Sequence, residues 1–182
     1  LVNRDPYAFY LNGSLNINLW GISMPFSFSL SNTQKSYTQP FNRFKLDPSY
    51  KWVHLLIGTN TLEMSKYTLS DHDFCGVGVE LTPDKWNISA MYGRLNKAVE
   101  YDPLVANYQT VAFKRMGYAA KVGYAGDFGG EYNVSFFHGE DDETSLSRIP
   151  DESYLSPKKN TAISVMVSQK FLKYFFVRAE YA

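Results

Sequence analysis

The run EYNVSFFHG, residues 131–139, sets Tyr132, Val134 and Phe136 against Asn133 and Ser135, so large apolar side chains alternate with small polar ones. Only an extended strand sends successive side chains to opposite faces, so a period of two predicts a strand with one apolar face. The pattern recurs on both sides of this run. Upstream, Leu15, Ile17 and Leu19 alternate with Asn16 and Asn18, and Phe26, Phe28 and Leu30 with Ser27 and Ser29. Val77, Val79 and Leu81 alternate with Gly76, Gly78 and Glu80; Trp86, Ile88, Ala90 and Tyr92 with Asn87, Ser89 and Gly93; Tyr118, Ala120, Val122 and Tyr124 with Ala119, Lys121 and Gly123. Downstream, Ile163, Val165 and Val167 oppose Ser164 and Ser168, and Phe175, Val177, Ala179 and Tyr181 oppose Arg178 and Glu180. Nowhere is a 3.6-residue apolar period sustained, so helical content is expected to be minor.

Ten strands are expected, at about 11–20, 23–32, 50–58, 61–68, 73–82, 85–95, 113–125, 131–139, 161–170 and 173–182. The alternation of short and long links depends on the strand at 61–68 (TLEMSKYT). Tight turns are expected at Gly21, Asn60, Pro83-Asp84, Gly126 to Gly130 and Phe171-Leu172, where Gly, Asn, Asp or Pro mostly supply turn geometry. Longer links fall at 33–49, 69–72, 96–112 and 140–160. Short turns at one end and long loops at the other are the mark of an outer-membrane barrel. A soluble sandwich also alternates, but here aromatics bracket the apolar faces, as Trp86 and Tyr92 or Tyr118 and Tyr124 do, where interfacial girdles belong. The expected fold is therefore all-β: an antiparallel up-and-down meander, part of a transmembrane outer-membrane β-barrel.

Composition supports this class and narrows the function. The chain has 182 residues, enough for one domain over 1–182, with 18 Lys+Arg balancing 18 Asp+Glu. No basic excess is available for a phosphate backbone, which argues against nucleic acid as a partner. Aromatics reach 16% while mean hydropathy is only -0.30, a balance suited to strands facing lipid on one side and water on the other. No stretch approaches the roughly 18 consecutive apolar residues of a spanning helix, so any crossing is made by strands. The single Cys75 excludes an internal disulfide. The opening LVNRDPYAFY has no basic stretch followed by an apolar one, so no secretory signal is visible there. With short turns taken as periplasmic, the first strand runs inward from outside, and the chain closes on EYA without a terminal aromatic. The segment is therefore expected to be incomplete at both ends.

The segments QPFNRF (39–44), YKWVHLLIG (50–58), YTLSDHDFCGVGVELTP (67–83) and ISAMYGRLNKAVEYDP (88–103) carry a resemblance, as do RDPYAFYLNGSLNINLWGISMPFSFSLSN (4–32) and KRMGYAAKVGY (114–124). Over most of its length the chain resembles a family of long, largely uncharacterised gram-negative outer-membrane β-barrel proteins. The resemblance implies a bacterial outer-membrane location and an internal place in a larger barrel. It carries no functional residue to this chain. Asp71 departs from the pattern, which usually has Gly before the His of this turn.

Each candidate site in the sequence also fits an ordinary structural role. Asp71, His72 and Asp73, with His54, could supply carboxylate and imidazole to a divalent ion, but the spacing matches no recognised ligand set, and a solvated turn is the expected role. The run Glu140-Asp141-Asp142-Glu143 lacks the alternation and central Gly of a calcium loop and reads as a hydrophilic external loop, offset by Lys158-Lys159. Cys75 beside His72 could be a nucleophile, yet its place in an apolar-patterned strand favours packing. The sequons at Asn12, Asn87 and Asn133 are taken as chance, and no GxSxG, HExxH or Walker motif occurs.

No catalytic, cofactor-binding or metal residue is therefore assigned, and no cofactor is expected. The expected function is a non-catalytic barrel wall, serving as a pore, transport component or assembly platform. Its expected partners are outer-membrane lipid and further strands of the same barrel or other subunits of an envelope complex. The competing reading is a secreted soluble β-sandwich that binds carbohydrate on exposed Trp and Tyr; an enzymatic barrel comes third. Four structural expectations follow. Segments 33–49, 96–112 and 140–160 lie on the extracellular side. Val122, Val134, Val165 and Val177 point at lipid while Lys121, Ser135, Ser164 and Arg178 point inward. Ser164→Arg is tolerated better than Val165→Arg. Arg178 and Glu180 pair with Glu80 or Lys121.

Overall fold

Leu19 pairs with Ile22, so Trp20 and Gly21 alone make the first turn, with φ of 51° and 81°. Two positive φ values form the turn whose twist matches that of paired strands; Gly21 adopts one without steric cost. The structure, a computed structural model, describes residues 7–32, 40, 42–70, 72–101, 111–126, 128–149, 155–171 and 175–182. Its strands are β1 (Tyr10–Leu19), β2 (Ile22–Ser31), β3 (Arg43–Leu46), β4 (Ser49–Tyr50), β5 (Val53–Thr61), β6 (Asp73–Leu81), β7 (Trp86–Asn96), β8 (Lys114–Ala125), β9 (Gly130–Asp142), β10 (Lys159–Phe171) and β11 (Phe175–Tyr181).

All belong to one antiparallel sheet, ordered β1-β2-β3-β5-β6-β7-β8-β9-β10-β11, with the short β4 pairing β2 and β5. Every strand on this path pairs with its neighbours along it, as in an up-and-down meander. The expected all-β antiparallel meander is what the chain forms. Among the described residues the only helical element is a single 3-10 turn, Glu143–Ser145.

Two expected elements are wrong, and their errors cancel. Residues 61–68 do not form a strand: β5 ends at Thr61, and the chain then folds onto one face of the sheet. Asn60, expected in a tight turn, lies inside β5 and is buried. Conversely, 33–49 is not a single loop, because β3 and the first residue of β4 lie within it. In β3, Phe44 and Leu46 pair with Phe28 and Phe26, and Arg43 and Lys45 with Ser29 and Ser27. One strand is lost and one gained, so the alternation of connections survives. The connections 20–21, 47–52, 82–85, 126–129 and 172–174 fall at one end of the sheet, and 32–42, 62–72, 97–113 and 143–158 at the other. The acidic run is not a loop either, because β9 continues through Asp142.

Candidate functional site

The two faces of the sheet differ, and the strand registers make the difference continuous. On the outer face Trp86, Tyr124 and Tyr132 are register partners at the short-turn end, and the rings of Trp86 and Tyr124 lie 5.0 Å apart. The next row is Ile88, Val122, Val134 and Val165; the one after it is Ala90, Ala120, Phe136 and Ile163. A second aromatic row follows in Tyr92, Tyr118 and His138, with Tyr118 stacked 5.2 Å from His138. Beyond it come Arg94, Met116, Glu140 and Lys159. Apolar rows thus lie between two aromatic rows, and charge begins outside them. These side chains are uncovered: Val134 is 52% exposed, Ile163 58% and Val77 55%. The apolar face runs on through Leu55, Leu15 and Ile17 at one side of the sheet and Val177 at the other, all exposed.

The inner face is polar and partly packed. Segment 62–70 lies on it, burying Leu62, Met64 and Leu69 in a cluster with Leu56, Phe74, Met91, Leu95, Ala119 and Phe137. A Cβ at Gly93 would come within 3.0 Å of the Phe74 ring, so glycine there leaves the ring its place. The segment doubles back on itself, with the Met64 N–H donating to the Leu69 carbonyl at 2.9 Å. Ser65 Oγ accepts the N–H groups of Tyr67 and Thr68, a local turn made by a serine side chain. Its hydroxyl also joins a buried ring with the sheet. Ser164 Oγ donates to Ser65 Oγ at 2.9 Å, Ser135 and Ser164 share a hydrogen at 2.7 Å, and Ser65 and Thr68 at 2.8 Å. The Thr68 hydroxyl closes the ring on Ser135 at 3.5 Å. Lys121 Nζ donates to the Glu63 carbonyl at 2.9 Å. Buried hydroxyls that satisfy one another hold the segment in one place, since an unmade bond there leaves a desolvated group. Ser164→Ala is expected to cost about 1–3 kcal/mol in an unfolding titration. It should also speed tryptic cleavage at Lys66; unchanged stability and cleavage would mean that the ring holds nothing.

The expected faces are found: Val122, Val134, Val165 and Val177 are exposed on one side, and Ser135 and Ser164 are buried on the other at 2% and 1%. The expected tolerance of Ser164 to arginine meets a different setting from the one assumed, because Ser164 is 1% exposed and bonded to Ser65 and Ser135. The proposed charge pairs are also different. Glu80 pairs with His54 at 3.1 Å and Lys121 holds the Glu63 carbonyl, while Arg178 Nε donates to the Met166 sulfur.

The sequence-level site candidates do not converge. Asp73 accepts from Arg43 at 2.8 Å and from Thr61 at 2.6 Å, and His72 Nδ1 lies 2.8 Å from the Asp73 carbonyl. His54 sits with Glu80 at the opposite end of the β5–β6 pair, and Asp71 lies outside the described residues. Cys75 stands on the outer face between Thr59 and Arg94. In the acidic run each strand residue meets a base on a neighbouring strand or its flank. Glu140 pairs with Lys159, Asp141 with Arg115 through two N–H groups at 2.6 and 2.9 Å, and Asp142 with Lys114 at 2.6 Å. Asp141 also accepts the Lys158 N–H. Among the described residues no three His, Cys, Asp or Glu side chains are placed to share a metal ion. In the sequence, the signal for this turn is a hydroxyl residue three before another, Ser65 before Thr68.

Fold and site together define a class: an antiparallel β-meander with one exposed apolar face framed by aromatics and one polar face carrying a segment of its own chain. No family model, curated protein or solved structure matches the chain.

Proposed function

We propose that this chain forms part of the wall of a bacterial outer-membrane β-barrel, with the outer face against lipid and the inner face toward the barrel interior. The observation that carries the proposal is the exposed apolar outer face, continuous over the sheet and bounded on β7, β8 and β9 by two aromatic rows. In water such a face is a liability, whereas in a bilayer it is the surface the solvent requires. Several strands have the length of a crossing: β5 and β6 have 9 residues, β1 10 and β7 11, against the roughly 9–11 that a tilted strand needs. A soluble sandwich would lay a second sheet over the apolar face, yet all described strands belong to one sheet. The edges of β1 and β11 have no strand partner among the described residues. Within lipid their free backbone groups need partners, which further strands of the barrel or another envelope subunit supply. The resemblance at residues 4–32, 39–44, 50–58, 67–83, 88–103 and 114–124 supports the same reading.

The proposed role is a pore, transport component or assembly platform rather than a catalyst. The inner-face ion pairs His54–Glu80 and Arg115–Asp141 each join single residues on neighbouring strands, and neither sets a nucleophile beside its base. The test is fluorescence of the protein reconstituted in vesicles whose acyl chains carry bromine at defined depths. Trp20, Trp52 and Trp86 all lie at the short-turn end, so quenching should be strongest with bromine near the headgroups and weak at the bilayer centre. A chain that stays soluble without detergent and shows no quenching would overturn the proposal.

A further inference from the structure

The tip of segment 62–70 does not fill the inner face; it forms one wall of a cleft whose other wall is β11. Glu63, Lys66, Tyr67, Ser70, Arg178 and Glu180 line this space of about 550 Å³, within the usual size of small-molecule sites. Two acids and two bases therefore face one cavity. Among the described residues none of these four charges is ion-paired, although pairs are common elsewhere on the sheet. Arg178 spends its Nε–H on the Met166 thioether, a weak acceptor. Glu180 keeps one carboxylate oxygen buried without a partner. Lys66 Nζ lies over the Tyr67 ring, 5.9 Å from its centre. The hydroxyl ring fixes the backbone of the wall that presents Glu63, Lys66 and Tyr67, opposite the strand that presents Arg178 and Glu180.

We infer that this cleft is a binding site for a small zwitterion, a solute carrying a cationic amino group and a carboxylate, of the size of a dipeptide. A lone anion entering the cleft meets Glu63 and Glu180, and a lone cation meets Lys66 and Arg178, so neither is favoured. A neutral sugar would remove water from all four charges and offer none of them an opposite charge. A zwitterion supplies one partner of each sign. Arg178 and Glu180 stand two residues apart on one face of β11, about 7 Å along the strand, a separation suited to a solute with an amine at one end and a carboxylate at the other. Tyr67 is largely exposed and forms a flat wall beside them.

Binding is independent of the membrane proposal, but a role for it in solute passage rests on that reading. The experiment is calorimetric titration of the full chain, folded in detergent micelles, with alanyl-alanine, N-acetyl-alanyl-alanine, alanyl-alanine amide and glucose. Alanyl-alanine should bind, and each singly charged analogue should bind roughly tenfold or more weakly, as expected for the loss of one charge-assisted contact. Arg178→Gln and Glu180→Gln, with strand content checked by circular dichroism, should lower alanyl-alanine affinity by a similar factor. Equal binding of the dipeptide and its blocked forms, tighter binding of glucose, or no dipeptide binding by the folded chain would overturn the assignment. Transfer of the chain into vesicles is scored separately. Insertion without dipeptide binding removes the site and leaves the wall, whereas binding without insertion removes the wall and leaves the site.

Discussion

On the proposed wall reading, Val165→Arg is expected to destabilise the vesicle-reconstituted protein by about 2–4 kcal/mol, the order of cost of a guanidinium placed on a lipid-facing strand within the hydrocarbon layer. Val165 pairs with Val134 on β9 and Tyr181 on β11, in the row just inside the Trp86 aromatic row, where an outward side chain meets the apolar face. The control is Ser14→Arg, at an exposed inner-face position of β1, where a change within about 0.5 kcal/mol is expected. Urea unfolding from vesicles measures both. If the outer face met water, Val165→Arg would be an ordinary surface substitution and the two variants would behave alike. Equal midpoints would therefore remove the lipid-facing reading. Ser164 cannot serve as the control, because it lies in the buried hydroxyl ring.

A second large effect is expected at Phe74. Its ring is 1% exposed and packs with Leu62, Met64 and Leu69 of the folded-in segment and with Met91 and Leu95 of β7. Phe74→Ala should cost about 3–5 kcal/mol, since removing a buried aromatic leaves a cavity that the glycine-lined strands around it cannot collapse to fill. The same titration measures it. Limited proteolysis should show 62–70 opening first, because the ring fastens that segment to β6. A cost below about 1 kcal/mol would mean that the cluster is not a core.

These sites also show what the sequence could convey. Alternation in EYNVSFFHG and ISAMYGRLN located strands and assigned their faces, because each residue's side follows from backbone geometry alone. It could not separate TLEMSKYT from a strand, since Leu62 and Met64 alternate with Glu63 as strand residues do. Periodicity reports which side of the backbone is apolar; it does not report whether a neighbouring strand pairs with it. The sharp turn at Ser65 depends on a side-chain hydroxyl, on its partner Ser164, 99 residues away, and on the bond of Thr68 to Ser135, 67 residues away. Ser135 and Ser164 bring that information only after folding. Strand β3 was hidden for the opposite reason: RFKL alternates correctly but has four residues, bounded by prolines at 40 and 48, in a polar stretch. The acidic run looked like a loop because its bases, Lys114, Arg115 and Lys159, are distant in sequence and close only across the sheet.

The route of segment 62–70 across the inner face has a further consequence, for the order in which the protein folds. Hairpins between successive strands close short loops and form early, whereas the contact between Ser65 and Ser164 closes a loop of 99 residues. Its far side does not exist until β9 and β10 have paired. The segment must therefore dock last, onto a finished surface, and unfasten first. In a refolding experiment read by pulsed hydrogen exchange, the amides of β8 and β9 should gain protection before that of Met64, whose bond to Leu69 forms within the docked segment. Protection of Met64 in the first phase would show instead that the segment folds by itself and that the strands assemble around it.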